Sequence, residues 1–302
     1  MSDHVGADLK WGVRKRLEFI EFRLFWDGKL NRGDLQNVFG LSHQQASTDF
    51  KTYQSLAPTN LSYDNAQKAF VRSADFLPVL MGESSNRYLL QVVAVKSGWM
   101  NREDTWFDRL PPLNVVALQP KRLDLQVVLS IVDAIRNKTL LEIDYRSMTG
   151  TPEEPRTIAP HGISYSAGRW YVRAWSEGHN DFRDYNLWRI QAARSTARVS
   201  ERSDYDYEWV QKINLKIGPN PELPDERKRA VAAEYDMVEG IMEVPVRLSL
   251  SFYLMSEHNL DVEPGKLSPQ KQQLVLLNRQ DVEDARRLAR QMSKEALARG
   301  EE

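Results

Sequence analysis

Asn31-Arg32-Gly33-Asp34-Leu35-Gln36-Asn37-Val38-Phe39-Gly40-Leu41-Ser42-His43-Gln44-Gln45-Ala46-Ser47-Thr48-Asp49-Phe50-Lys51 is the stretch that decides the N-terminal fold. Asn31 is a good N-cap, Leu35, Val38 and Phe39 supply a buried side, and Gly40 is a left-handed stop, so a short helix ends in a tight turn. Ser42 with Gln45 three residues later predicts a capping box at the start of a further helix. In that helix Ala46, Phe50 and Tyr53, spaced four and three apart, face inward, while His43, Gln44, Ser47, Thr48 and Lys51 lie on the opposite, polar face. Upstream, Val13, Leu17, Ile20 and Leu24 mark one face of a helix over residues 10–26, closed by Asp27-Gly28. Downstream, Leu61-Ser62-Tyr63, a turn at residues 64–67, and residues 68–72 predict a two-stranded hairpin. Three helices with a glycine turn between the second and third, followed by a hairpin, match a helix-turn-helix with a wing.

That pattern gives the polar helix face a purpose. Glutamine pairs bidentately with adenine, serine and threonine reach base edges or phosphates, and lysine neutralises phosphate. The candidate DNA-binding residues are Ser42, His43, Gln44, Gln45, Ser47, Thr48 and Lys51, with Lys68 on the wing; Gln45 can instead be taken up by the capping box. Arg14, Lys15, Arg16 and Lys29 are further phosphate candidates. The bland alternative is a solvated face of an ordinary three-helix bundle. Charge does not discriminate: residues 1–75 hold ten Lys/Arg against nine Asp/Glu, and the whole chain carries a formal net charge of −1.

At 302 residues the chain is long enough for two or three domains, and 41% hydrophobic with 27% charged residues is ordinary for globular protein. Residues 76–137 read as a helical connector, with helices around 87–95 and, from Leu125, Val128, Leu129, Val132 and Ile135, up to Asn137. Residues 138–203 read as a small antiparallel β-barrel of strands over 140–145, 158–165, 169–175 and 182–190, separated by turn-forming residues. Pro219, Pro221 and Pro224 lead into an α+β module within 204–302, with strands over 244–254 and 273–277 and a helix over 281–298. The expected fold class is therefore α+β and multidomain.

Several chemistries are excluded by composition and pattern. With no cysteine there are no disulfides, thiol nucleophiles or cysteine-ligated metals. Asp3, Asp8, Lys10, Arg14, Lys15 and Arg16 interrupt any secretory leader, and no apolar run approaches the roughly 20 residues of a membrane span, so a cytoplasmic protein is expected. No phosphate loop, dinucleotide fingerprint or zinc helix is present, and no catalytic residue, cofactor or metal is expected; a hydrolase assembled from distant residues is the outlying alternative.

The barrel segment has its own bias. Of its nine basic residues between Lys138 and Arg198 eight are arginine, interleaved with Trp170, Tyr171, Trp175, Tyr185 and Trp188. Guanidinium binds phosphate or carboxylate bidentately and stacks on rings, so an anionic ligand with a flat ring suits this segment. Alternation puts Arg169, Tyr171, Arg173 and Trp175 on one face of their strand; the bland reading pairs the arginines with Glu153, Glu154, Asp181 and Asp184.

Pro160-His161-Gly162, then Gly168-Arg169-Trp170-Tyr171-Val172-Arg173-Ala174, Phe182-Arg183-Asp184 and Leu187-Trp188-Arg189-Ile190, resemble the WYL domain, with Val172 in place of the third letter. With the winged helix before it and the α+β module after it, the order resembles WYL transcription regulators over nearly the whole chain. Ser-His-Gln-Gln-Ala-Ser at residues 42–47 and Arg-Trp-Tyr-Val-Arg-Ala at 169–174 are most similar to regulators encoded beside anti-phage defence systems. The resemblance implies an Sm-like or SH3-like barrel that binds a nucleotide-like or nucleic-acid effector, through Tyr145, Ser147, His161, Arg173, Arg183 and Arg189. It further implies a homodimeric repressor on an inverted repeat of double-stranded DNA, controlling a defence operon, with the C-terminal module as the dimer element. A nucleic-acid-binding adaptor without promoter control is the alternative of a different class. His161 taken alone reads more simply as a structural hydrogen-bonding group.

Overall fold

The computed structural model describes residues 9–82, 85–116, 122–148 and 155–299. The chain divides into two compact units, Met1–Ala117 and Leu118–Glu302.

In the first unit, α1 (Trp11–Asp27), α2 (Arg32–Phe39) and α3 (His43–Leu56) enclose a core of Leu17, Ile20, Leu24, Leu35, Ala46, Phe50 and Tyr53, the inward faces read from helical spacing. Gly28 and Gly40 both take positive φ, as stops that only a residue without a Cβ adopts without strain. Asn31 makes a complete capping box with Asp34. The box expected at Ser42 is half formed: Ser42 accepts from the Gln45 backbone N–H, while the Gln45 side chain turns inward to Asp49 at 3.0 Å. Asp49 is buried and held by Arg16, so it offers Gln45 a stronger acceptor than the helix start offers a donor. The wing pairs β2 (Leu61–Asp64) with β3 (Ala69–Arg72), and the two-residue β1 (Lys29–Leu30) adds to β3 to give the order β1-β3-β2. That third strand is too short to leave a period in the sequence.

Glu21 on α1 is wholly buried and ties this unit together. Its two oxygens accept from the backbone N–H groups of Val79, Leu80 and Met81 at 2.8, 2.8 and 2.6 Å, and from the Tyr53 hydroxyl of α3 at 3.0 Å. Asn60 closes the network, donating to the Tyr53 oxygen and to the Leu77 carbonyl. Beyond it α4 (Ser85–Lys96) packs Val92 with Phe22 and Phe107, and Tyr88 stacks on Trp26 at 3.9 Å.

In the second unit, β4 (Thr139–Tyr145), β5 (Arg156–Ser166), β6 (Arg169–Ser176), β7 (Asp181–Asn186) and β8 (Ile190–Val199) form one antiparallel sheet in the order β7-β6-β5-β4-β8. The first three strands are those expected, but the strand expected over 182–190 ends at Asn186, and a fifth strand, β8, follows a short turn at Leu187–Arg189; no ladder joins β7 to β8 among the described residues, so the sheet is open and not a closed barrel. The helix assigned to the connector, α5 (Leu125–Asn137), belongs to this layer: Val127, Ile131 and Ala134 share a core with Leu141, Ile143, Ile158, Val172 and Tyr185.

The C-terminal module sets β9 (Lys212–Pro219) between β10 (Met242–Arg247) and β11 (Leu274–Leu276), with α6 (Tyr207–Val210), α7 (Asp225–Glu234), α8 (Leu248–Glu257) and α9 (Arg279–Arg299) around it. The strand expected over residues 244–254 ends at Arg247 and continues as α8. The apolar residues at even positions from 244 to 254 imitate a strand, yet α8 buries Leu248, Ser251 and Met255, three and four apart, together with Ser249.

Candidate DNA interface and sensor site

The start of α3 presents the DNA-reading candidates. His43, Gln44, Thr48 and Lys51 are exposed and Ser47 is half-buried, while Ser42 accepts the cap hydrogen bond. Thr48 donates to the Gln44 backbone carbonyl at 3.0 Å, and the Gln44 side chain is exposed. Gln45 is held inward by Asp49. Lys68 lies at the wing turn with positive φ, where the Asp64 carboxylate caps the turn by accepting from Ala66 and Gln67. These bonds hold the Asp64 carboxyl below its ordinary range.

Of the further phosphate candidates, Arg16 lies on buried Asp49 at 2.6 Å, Arg14 and Lys15 both pair with Glu18, and Lys29 donates to Gln67 across the wing. One basic residue escaped the sequence reading: Arg32, at the start of α2, lies over the rings of Tyr63 and Phe70 at 5.7 and 5.1 Å. Phe70 in turn stacks on Phe50 of α3 at 4.1 Å, so one file of side chains joins the wing to the outward helix. No local pattern announces such a file.

The six effector-binding candidates fall into two groups. On one side of the sheet, His161 and Arg173 converge on Asp206, which is 0% exposed. The Asp206 carboxylate accepts from Arg173 Nε at 2.8 Å and Nη2 at 3.1 Å, from His161 Nε2 at 2.9 Å, and from the Trp209 backbone N–H at 3.2 Å. Arg173, 4% exposed, also lies 3.5 Å from both Asp184 and Glu208. Burial opposes the charge on Arg173, but the bonds to Asp206 and the fields of Asp184, Asp206 and Glu208 outweigh it and hold the guanidinium charged. Burial likewise opposes ionisation of Asp206, and the bonds from His161 and Arg173 win, holding its pKa below the ordinary 3.8. For Asp184 burial prevails over Arg173 and Tyr253, and its carboxyl is raised.

The Pro-His-Gly motif has a structural explanation here. The β5–β6 register slips between Pro160 and Gly162, so His161 is the extra residue of a bulge that re-aims its ring at Asp206. A Cβ on Gly162 would lie 2.2 Å from the Trp209 ring, so only glycine admits that indole. Trp209 of α6 also meets the His161 ring edge-on at 5.9 Å, which fastens the sheet to the C-terminal module, and Arg247 of β10 stacks on the same indole at 4.8 Å. The strand face carrying Tyr171, Arg173 and Trp175 is thus covered: Tyr171 meets Tyr253 of α8, and Trp175 shares a cluster with Leu297 of α9.

Arg183 pairs in register with Ala174 and so stands on the other face, exposed. There Tyr145 meets Tyr185 edge-on at 5.0 Å beneath the Arg156 guanidinium. Arg189 and Ser147 are half-buried, Arg189 following β7 and Ser147 following β4. The expected set is therefore not one pocket: His161 and Arg173 belong to a covered ionic cluster, and Tyr145 and Arg183 to the sheet face that packs on α5, with Arg183 exposed.

The three parts define a class of protein. Residues 12–94 match the winged helix-turn-helix domain of the BrxR transcriptional regulator, residues 126–195 the WYL domain, and residues 212–282 the BrxR C-terminal dimerization domain. Over its length the chain is 32% identical to the DNA-binding transcriptional repressor CapW of Pseudomonas aeruginosa, across 91% of this chain and 92% of that protein. CapW of Escherichia coli (strain KTE188) is 32% identical over 90% of this chain and 91% of its own, and CapW of Stenotrophomonas maltophilia 28% over 93% and 95%. The chain belongs to the CapW family of DNA-binding transcriptional repressors. A solved structure, the proteasome accessory factor B/C (PafBC) of Arthrobacter aurescens, aligns with 95% of this chain and 48% of its own at 15% identity and a TM-score of 0.26. No helix of the described residues is long and apolar enough to cross a membrane.

Proposed function

We propose that the chain is a cytoplasmic repressor that binds an inverted repeat as a homodimer, reads it through Gln44, Thr48 and their neighbours on α3, and silences a phage-defence operon that includes its own gene. In this reading an anionic, nucleotide-like effector bound by the WYL region relieves repression, by favouring a dimer arrangement with lower operator affinity. The observation that carries the DNA part is the capped start of α3: Ser42 fixes the helix end, and His43, Gln44 and Thr48 stand outward beside the wing. The match of residues 212–282 to a dimerization domain supports two-fold binding, since one winged helix reads few base pairs. The five-stranded sheet with α5 packed on it supports an Sm-like barrel as the sensor body. The test is a footprint upstream of the gene, paired with a promoter reporter with and without the protein. A two-fold symmetric footprint and a reporter silenced by the protein are expected; no footprint, or a reporter indifferent to the protein, refutes the reading.

A further inference from the structure

The covered face of the WYL sheet ends in a cleft of about 390 Å³ between β7, α8 and α9, within the roughly 300–1,000 Å³ of small-molecule sites. Its composition is unusual for a seam between packed layers. Arg286, Arg290 and Lys294, each four residues apart, place three cations along one face of α9. Arg173 is matched by Asp206 and Asp184, so the carboxylate left to Arg286 and Arg290 is Glu208, which both reach through the same oxygen at 3.5 and 3.0 Å. Lys294 has no ion pair among the described residues, and Asp181 stands in the lining as the one further acid.

Two polar atoms in the lining are unsatisfied. Ser249 is 5% exposed and its Oγ, buried in the wall, has no hydrogen-bond partner; Oδ1 of Asp184 is in the same position. A buried polar atom without a partner costs about 1–3 kcal/mol, so a ligand that supplies one is favoured. The Ser249 hydroxyl can donate to an anion, and the free Asp184 oxygen can accept from a ligand hydroxyl. The rings of Phe252 and Tyr253 line the same space, Tyr253 anchored by its hydroxyl to Asp184 at 3.2 Å.

We infer that this cleft holds the phosphate groups of a nucleotide-sized effector, bound by Arg286, Arg290 and Lys294, with the Ser249 hydroxyl completing the cradle and the base against Phe252. The inference rests on the effector reading proposed above and moves the site from the sheet to its seam with the C-terminal helices. Charges one helical turn apart, about 5–6 Å, suit successive phosphates, and guanidinium pairs bind phosphate in bidentate fashion. Because the walls come from both the sensor sheet and the C-terminal helices, a ligand here has differential contact with two arrangements of those parts, the requirement for shifting an equilibrium.

The experiment is calorimetric titration of the full chain with ATP and with inorganic pyrophosphate, on wild type, the R290A/K294A double variant and S249A. Arg290 and Lys294 have exposed heads, so the double variant keeps the fold, and its operator affinity without ligand should equal that of wild type. Both probes should bind wild type; the double variant should lose about tenfold or more for each cation removed, and S249A about three- to tenfold. Equal binding of the two probes supports a phosphate site, and tighter ATP binding adds the ring. Binding of neither probe to wild type, or variants that bind like wild type, overturns the inference. A promoter reporter in phage-infected cells separates it from the reading it rests on. A double variant that derepresses like wild type removes the cleft and leaves the effector; a wild type that never derepresses removes both.

Discussion

Replacing Asp206 by Asn tests what the Pro-His-Gly bulge and Arg173 are for. The amide has nearly the shape of the carboxylate and retains one acceptor, but it removes the charge facing Arg173 Nε at 2.8 Å and leaves the guanidinium, 4% exposed, with Asp184 and Glu208 at 3.5 Å. Removing one partner of a buried ion pair costs about 3–5 kcal/mol; with two longer contacts retained, the low end, about 3 kcal/mol, is expected. Asp206 has a depressed pKa in the fold, so its contribution is present above the unfolded-state value near 3.8 and is lost as pH falls through the lower folded value. Asp184, raised by burial, runs the other way: its contribution is present at low pH and is lost as pH rises through its raised value. Urea unfolding followed by tryptophan fluorescence, with Trp209 beside the cluster, should show D206N about 3 kcal/mol less stable at pH 7 and without the wild-type decline below pH 4. The double variant R173M/D206N should cost clearly less than the sum of its parts, with a coupling of at least about 1 kcal/mol. A loss under about 1 kcal/mol, or additive single effects, would refute the view that this cluster holds the sheet to the C-terminal module.

Other outcomes follow from the same geometry. Gln44→Ala with Thr48→Ala should cost about 1–3 kcal/mol per base contact at the operator and spare weak non-specific binding, whereas Lys51→Ala should weaken all sequences alike and lower the salt slope by about one; anisotropy titrations at several salt concentrations distinguish them. Gly162→Ala drives a methyl into the Trp209 ring and should cost about 1–3 kcal/mol in thermal or urea unfolding, an effect that shortening Trp209 to Leu partly relieves. Glu21→Ala strands the Tyr53 hydroxyl and the backbone donors of residues 79–81; at about 1–3 kcal/mol for each group kept from water, the first unit should lose at least about 3 kcal/mol, and hydrogen exchange at residues 79–81 should accelerate first.

Much of the first unit is legible from spacing alone, because its helices have one buried face each: Ala46, Phe50 and Tyr53 declare α3, and Gly28 and Gly40 declare its neighbours' ends. What escaped was set by partners far away in the chain. Gln45 fits a capping box until Asp49 and Arg16 compete for it, and Arg16 resembles a phosphate contact until Asp49 is buried beneath it. The α8 segment misleads because alternating Val, Leu and Phe give period two, while its Ser249 and Ser251, buried on a helix, carry no apolar signal. In the sensor region the arginine bias is visible and its division between two faces is not. Arg173 and Arg183 are ten residues apart in sequence, and only the β6–β7 register, Arg173 with Asp184 and Ala174 with Arg183, places them on opposite sides. Of the acids that take up Arg173, Asp184 is within reach of the sequence reading, while Asp206 and Glu208 lie 33 and 35 residues beyond it.

The Glu21 carboxylate grips the chain at residues 79–81 with one hand and α3 with the other, through Tyr53. It works as a short, stiff linkage in a machine: residues 79–81 are bolted to α1 and α3 at once, while Asn60, at the entry to β2, holds Leu77 just before them. A load on residues 79–81 therefore reaches the last turn of α3 through Tyr53, with α1 between them, and the entry to β2 through Asn60 and Leu77.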